Sequence, residues 1–231
     1  MAMAITITMI TVTAMIEADA GQRARLAAWF SPGYPVGGFA YSHGLETLVA
    51  EGAVHDPDTL RDWIGTILGQ GAGRSDAILL AHAWRAPDDP APADLAAALQ
   101  PSAERRLESR AQGAAFAAVT AAAWPASGLD GTAQAYPVAV GRAAAAHGLP
   151  LGAVLHHYLQ AMAANLVSAG IRLIPVGQTD GQRVLAALID TIAAVAAEAE
   201  AATEADIGGF VLRADIASMR HETLHTRLFR S

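Results

Sequence analysis

An all-α fold, a single-domain bundle of roughly eight to ten helices, is what this sequence predicts. Three observations lead there. Apolar residues recur at helical spacing in several stretches, Ala is abundant, and no set of alternating segments supplies a credible sheet. Ala favours helix and close helix–helix spacing more than a bulky core. At 231 residues the chain is long enough for one domain with a substantial interior.

Taken in order, Met1 to Met15 is apolar and Thr-rich, without the basic start and hydrophobic run of a signal peptide. Its alternation resembles a strand that has no partner, so residues 1–20 are expected to be a disordered extension and 21–231 the domain. Ser31 to Phe39 is a loop in which prolines fix φ and glycines permit close backbone approach. A helix is expected over Tyr41 to Ala50, with Leu45, Leu48 and Val49 inward and Glu46 exposed. Asp56-Pro57 is an N-cap followed by Pro at the first helical position. Leu60, Trp63, Ile64, Ile67 and Leu68 then form a stripe, stopped by Gly69, Gly71 and Gly73. Further helices are expected over Asp76–Trp84 and Ser102–Trp124. The two clearest stripes are Leu151, Val154, Leu155, Tyr158, Leu159, Met162, Leu166 and Val167, and then Val184, Leu185, Leu188, Ile189, Ile192 and Val195. Thr179 or Asp180 is expected to cap the second.

Composition removes several kinds of chemistry. Cys is absent, which excludes thiolate metal sites, Cys nucleophiles and disulfides, and suits a reducing, cytoplasmic setting. All fifteen basic residues are Arg. A Walker-type phosphate loop and Schiff-base chemistry both need Lys, so any nucleotide hydrolysis must come from a partner. A net charge of −7 argues against a nucleic-acid surface. The most apolar runs are interrupted by His156, His157, Gln160 and Asn165, or by Asp190, so no membrane span is expected.

Three constellations carry possible chemistry. Ala40-Tyr41-Ser42-His43-Gly44 approximates a nucleophile elbow, but that device needs a strand and a sheet. His221-Glu222-Thr223-Leu224-His225 fits H-E-x-x-H, in which two His one helical turn apart hold zinc and the Glu acts as base. A third protein ligand would have to come from upstream, since only six residues follow His225. The rival reading of residues 213–231 is a partner-docking tail, with Leu224, Leu228 and Phe229 interleaved among Arg220, Arg227 and Arg230. On that reading the tail has little of its own fold to pack on, and deleting Leu224 to Ser231 leaves a folded protein. Lastly, Asn165, Ser168 and Arg172 share one helix face, as a satisfied buried network or as the lining of a water-filled passage.

Four segments together resemble UreF-type urease accessory proteins: SPGYPVGGFAYSHGLE (Ser31 to Glu46), YPVAVGRAAAAHGLP (Tyr136 to Pro150), NLVSAGIRLIPVGQTDGQR (Asn165 to Arg183) and SMRHETLHTRLFRS (Ser218 to Ser231). Their order and spacing also match, so the resemblance runs from about Leu26 to the end. It implies an all-α, non-catalytic protein of nickel-centre assembly, commonly a homodimer. The implied partners are UreD (also called UreH), the GTPase UreG and the urease apoprotein. No resident cofactor is implied, and nickel passes in transit. The terminal segment then belongs to the complex-forming surface: Arg220, His221, Glu222, Leu224, Arg227, Leu228, Phe229 and Arg230, with Tyr41 and Glu46, Arg227 being the residue most critical for assembly. Tyr136 departs from the family, which often has His there. The alternative is a zinc-dependent hydrolase using His221, Glu222 and His225.

Overall fold

In the computed structural model of the chain, which describes residues 20–126, 128 and 131–231, every regular element is helical. The helices are α1 Ala20–Trp29, α2 Leu45–Ala50, α3 Pro57–Gln70, α4 Ala72–Arg85, α5 Ala91–Ala98, α6 Ala103–Ala123, α7 Tyr136–Ala146, α8 Leu151–Leu173, α9 Gln178–Ala187, α10 Ile189–Ala201 and α11 Leu212–His221. Short 3-10 turns cover Gly38–Ala40 and Glu204–Asp206. The all-α expectation is met. The expected extension falls on residues outside the described ones up to residue 19, and Ala20 opens α1.

Helix α8 is the axis of the bundle, touching α2, α3, α4, α9 and α10. Its stripe is buried throughout except for Met162, which is half-buried. Each fully buried side chain of this kind contributes about 1.5–3 kcal/mol before ordering entropy is charged against it. Helices α4 and α7 pack most closely. A Cβ at Gly141 would lie 2.4 Å from the Leu80 carbonyl oxygen, so only Gly allows that approach. Buried inside the bundle, the Tyr158 hydroxyl donates to Asp76 at 2.9 Å and ties α8 to α4.

Local signals set most boundaries. Asp56 accepts from the Thr59 amide at 2.8 Å and forms a capping box at the start of α3, and Ser102 accepts from the Arg105 amide to open α6. Several expectations need correction. Gly69 lies inside α3 and Gly73 inside α4; the chain turns at Gly71 alone, so α4 starts at Ala72 rather than Asp76. The helix expected from Thr179 to Val195 is broken at Leu188 into α9 and α10, Gly177 occupies the N-cap without a side-chain bond, and Ile189 is exposed. The helix expected from Tyr41 begins at Leu45. Gly44, left-handed at φ +79°, precedes it, and Glu46 is buried rather than exposed. No described helix is long and apolar enough to cross a membrane.

Candidate functional site

Residues 222–231 leave α11 and run back over the bundle, and their own fold holds them there. The Glu46 carboxylate is the central clamp. Its Oε1 accepts the Leu228 amide at 2.7 Å and its Oε2 the Phe229 amide at 3.0 Å. Glu46 Oε2 also lies 3.1 Å from His221 Nε2, while His221 Nδ1 lies 2.6 Å from Glu104 Oε2. His221 is fully buried between these carboxylates. Glu104 also binds Arg227 at 2.5 Å. Charge-assisted bonds of this kind are roughly twice as strong as neutral ones.

Further anchors continue to the last residue. The Arg230 amide donates to the Ala40 carbonyl at 2.8 Å. The Ser42 amide and hydroxyl both donate to the Ser231 carbonyl, at 2.8 and 2.5 Å. The Ser231 hydroxyl donates to Glu108 at 2.7 Å. Arg172 donates to the Phe39 carbonyl at 2.7 Å and lies 4.3 Å over the buried Phe229 ring, a cation–π contact. Glu222 accepts from the Ala103 amide and so satisfies a free donor at the start of α6. Phe229 and Ser231 are thereby buried, while the rest of the tail stays at the surface. Removing Leu224 to Ser231 would take the Leu228 and Phe229 amides from Glu46 and the Ser231 hydroxyl from Glu108.

Close backbone packing makes this possible. His43 is held at φ +56°, an uncommon conformation for a residue with a side chain. A Cβ at Gly44 would meet the Ser218 amide nitrogen at 2.7 Å, so Gly44 answers both the left-handed backbone and the approach of α11. Beneath this turn Glu108 gathers four donors: His43 and Gln112 at 2.9 Å each, Ser231, and Arg105, its ion-pair partner. Burial raises the Glu108 pKa, but the Arg105 guanidinium and these hydrogen bonds outweigh it and hold the group at about 2. Burial pushes Asp76 the other way, up to about 6, only partly offset by Arg105 and Tyr158. Burial, helped by Arg105, lowers the His43 pKa, and burial raises that of Tyr136.

These polar groups line a cavity that shares wall residues with two others. A cavity of about 50 Å³ is bounded by Tyr41, His43, Asp76, Glu108, Tyr136 and Asn165, among others. On one side it adjoins a groove of about 510 Å³ between the 31–39 loop and α8, with which it shares Gly38, Tyr136 and Asn165. On the other it adjoins a small pocket of about 20 Å³ beside α11, sharing His43 and Arg105. Of the expected polar row, Asn165 and Ser168 line the groove, whereas Arg172 lies outside it, capping Phe229.

The expected docking residues divide into two groups. Tyr41, Glu46, His221 and Phe229 are buried; Glu46 binds the Leu228 and Phe229 amides, whereas Tyr41 lines the cavity. Arg220, Glu222, Arg227, Leu228 and Arg230 are exposed, and Leu224 is half-buried. Missed in the sequence was a ridge of large apolar side chains leading into the tail: Phe210 (71% exposed), Leu212 (55%), Ile216 (37%) and Met219 (49%). The spacing of 212, 216 and 219 is helical, but an outward stripe cannot be told from an inward one by period alone. Arg213 and Arg220 flank it.

The enzyme readings lose their geometry. Helix α11 ends at His221, so His225 lies beyond it and the two His do not share a helix face. His225 is exposed, while both ring nitrogens of His221 face carboxylates. No group of three or more His, Asp and Glu suited to a metal occurs among the described residues. Ser42 is buried, with its hydroxyl committed to the Ser231 carbonyl, and His43 pairs with Glu108. On α8, His156 is exposed and His157 half-buried.

Comparison with known proteins agrees with the resemblance. The UreF family model matches residues 54–189. The urease accessory protein UreF of Rhodopseudomonas palustris (strain BisA53) is 52% identical over 219 residues, covering 90% of this chain and 92% of that one. The Bradyrhizobium sp. (strain BTAi1) protein of the same name is 50% identical over 229 residues, with 94% and 95% covered. That of Cereibacter sphaeroides (strain KD131) is 53% identical over 206 residues, with 89% and 97% covered.

Proposed function

Because this chain belongs to the UreF family of urease accessory proteins, we propose that it acts as a non-catalytic scaffold in urease nickel-centre assembly. It binds UreD/UreH, recruits the GTPase UreG, and brings both to the urease apoprotein in the cytoplasm as a homodimer. The chain has no Lys for a nucleotide phosphate loop, which fits a division of labour in which the GTPase supplies the hydrolysis.

One observation carries the docking reading: the exposed apolar side chains Phe210, Leu212, Ile216 and Met219, with Leu228 of the tail also 60% exposed. Large apolar side chains rimmed by polar groups mark interaction surfaces. Here Arg213, Arg220, Arg227 and Arg230 supply the rim. Because the tail is already held by Glu46 and Glu104, UreD/UreH meets a preformed surface and little ordering entropy opposes binding. The test is co-purification of the full-length Leu212→Asp/Met219→Asp variant with UreD/UreH. Loss of association with unchanged helicity and melting temperature is expected. Retained association would remove the ridge from the interface.

Nickel transit is supported by three neighbouring cavities that share lining residues, Asn165 among those common to the first pair and His43 with Arg105 to the second. Oxygen and imidazole donors at Asp76 and His43 suit weak, transient contact with the cargo ion. Asn165→Leu removes a polar group that lines both the cavity and the groove. Complexes of that variant should assemble normally but activate urease poorly, and full activation would end the transit reading.

A further inference from the structure

The structure points to a second recognition surface, on the face of α6 turned away from the tail. Successive residues on a helix are about 100° apart, so Arg106 and Arg110 project opposite Glu104 and Glu108, which hold the tail. The two guanidinium groups are one turn apart, exposed, and without an ionic partner among the described residues. They border a groove of about 160 Å³ between α5, α6 and residues 133–135. Its floor is Ala93, Ala96, Ala97, Ala133 and Ala135, and Ser109 with two carboxamides, Gln100 and Gln134, completes the polar lining. Among the described residues no carboxylate lines it, although the chain as a whole carries a net charge of −7. Leu107, 67% exposed, stands beside the Arg pair, and Leu99, 40% exposed, ends α5 next to Gln100.

We propose that this groove binds an acidic segment of a partner protein, one that interleaves carboxylates with apolar side chains. Charge complementarity selects the carboxylates. Two forked guanidinium groups one turn apart can each take a carboxylate in bidentate fashion. The alanine floor and the exposed Leu107 select a peptide over a free inorganic anion. Two exposed cations alone hold a small anion weakly at physiological ionic strength, where screening acts over about 8 Å. An apolar side chain seated on the alanines adds the missing binding energy and shields the ion pairs from water. This surface stands apart from α11 and the tail, so its failure would leave the proposed scaffold role untouched.

The test uses the full chain and a fluorescein-labelled decapeptide of alternating glutamate and leucine, with binding read by fluorescence anisotropy. The control peptide carries glutamine in place of glutamate. Binding of the glutamate peptide should weaken tenfold or more in an Arg106→Ala/Arg110→Ala variant and fall as salt rises. It should be unchanged in Arg183→Ala, an exposed Arg on α9. Both Arg positions are exposed, so the double variant should keep the wild-type melting temperature. Equal binding of the glutamine peptide, or equal binding to the double variant, overturns the proposal. Sedimentation of the unliganded chain adds a second arm. A lower dimer fraction in the double variant would identify the occupant as another copy of this chain and overturn the assignment to a separate partner.

Discussion

Glu46 Oε2 accepts the backbone amide of Phe229 at 3.0 Å across 183 residues of sequence, while Glu46 Oε1 takes the amide of Leu228. One buried carboxylate thus fixes two consecutive peptide groups of the tail. A carboxamide has a single acceptor oxygen, so Glu46→Gln turns an N–H toward one of those amides. Each hydrogen bond to a charged group contributes about 1.5–3 kcal/mol, so the variant should lose about 2–4 kcal/mol in urea denaturation. Hydrogen exchange in residues 222–231 should speed up together with that loss. Unchanged protection there would mean that the tail is held by something else.

Asp76 gives a pH dependence of known sign. Its folded pKa is raised from 3.8 to about 6 because burial penalises the charged form. The folded state therefore binds more protons between these values, and stability falls as pH climbs from about 4 to 6, then levels off. Asp76→Asn, which still accepts from Tyr158, should remove this penalty. Near pH 7.5 the variant should be more stable than wild type by an amount on the order of 2–3 kcal/mol, with little difference below pH 4. Denaturant midpoints at the two pH values check this, and equal midpoints at pH 7.5 would contradict it.

Glu108 behaves in the opposite sense. Its folded pKa is depressed from 4.5 to about 2, so its stabilisation is complete above pH 4.5 and is lost as pH falls toward 2. Glu108→Gln leaves Arg105 buried without its counterion, which should cost about 3–5 kcal/mol. The acid limb of the stability profile should also flatten in this variant. A wild-type acid limb in Glu108→Gln would assign the acid sensitivity to another carboxylate.

What could be read in the sequence follows from where the information lies. The stripe of α8 and the caps at Asp56 and Ser102 are local patterns, and their helices appear in place. The break at Leu188 was hidden because the apolar period continues across it, and a period does not report hydrogen bonding. Glu46 was read as exposed because a charged side chain on a short helix is normally solvated. Its burial depends on two amides that arrive from the other end of the chain. Likewise the tail's exposed Arg and Leu residues were recognisable, but its folding back onto Glu46, Glu104 and Glu108 is a long-range fact. The ridge at Phe210 to Met219 has the same period as a buried stripe, and only packing shows that its side chains are exposed.

Gly44 should tolerate no side chain. In Gly44→Ala the added methyl meets the Ser218 amide at 2.7 Å, and the backbone stays at φ +79°. Left-handed strain alone costs about 1 kcal/mol or more, and the contact forces α2 away from α11. A drop in melting temperature of several degrees is expected, with weaker protection of the tail amides. A variant as stable as wild type would show that α11 can shift without cost.

The last contrast separates holding the tail from binding through it. Leu228 and Phe229 are adjacent, yet Leu228 is 60% exposed and Phe229 is 4% exposed under the Arg172 guanidinium. Phe229→Ala empties a buried aromatic site and should cost about 3–5 kcal/mol of stability. Leu228→Ala removes surface area only, and its stability should stay within about 0.5 kcal/mol of wild type. If the tail presents a surface to UreD/UreH, Leu228→Ala weakens co-purification while its melting curve is unchanged. Phe229→Ala lowers both, and restoring the fold with a stabilising background should recover most of its binding. Should Leu228→Ala bind as wild type while refolded Phe229→Ala does not, the partner reaches the buried ring and the tail must open on association.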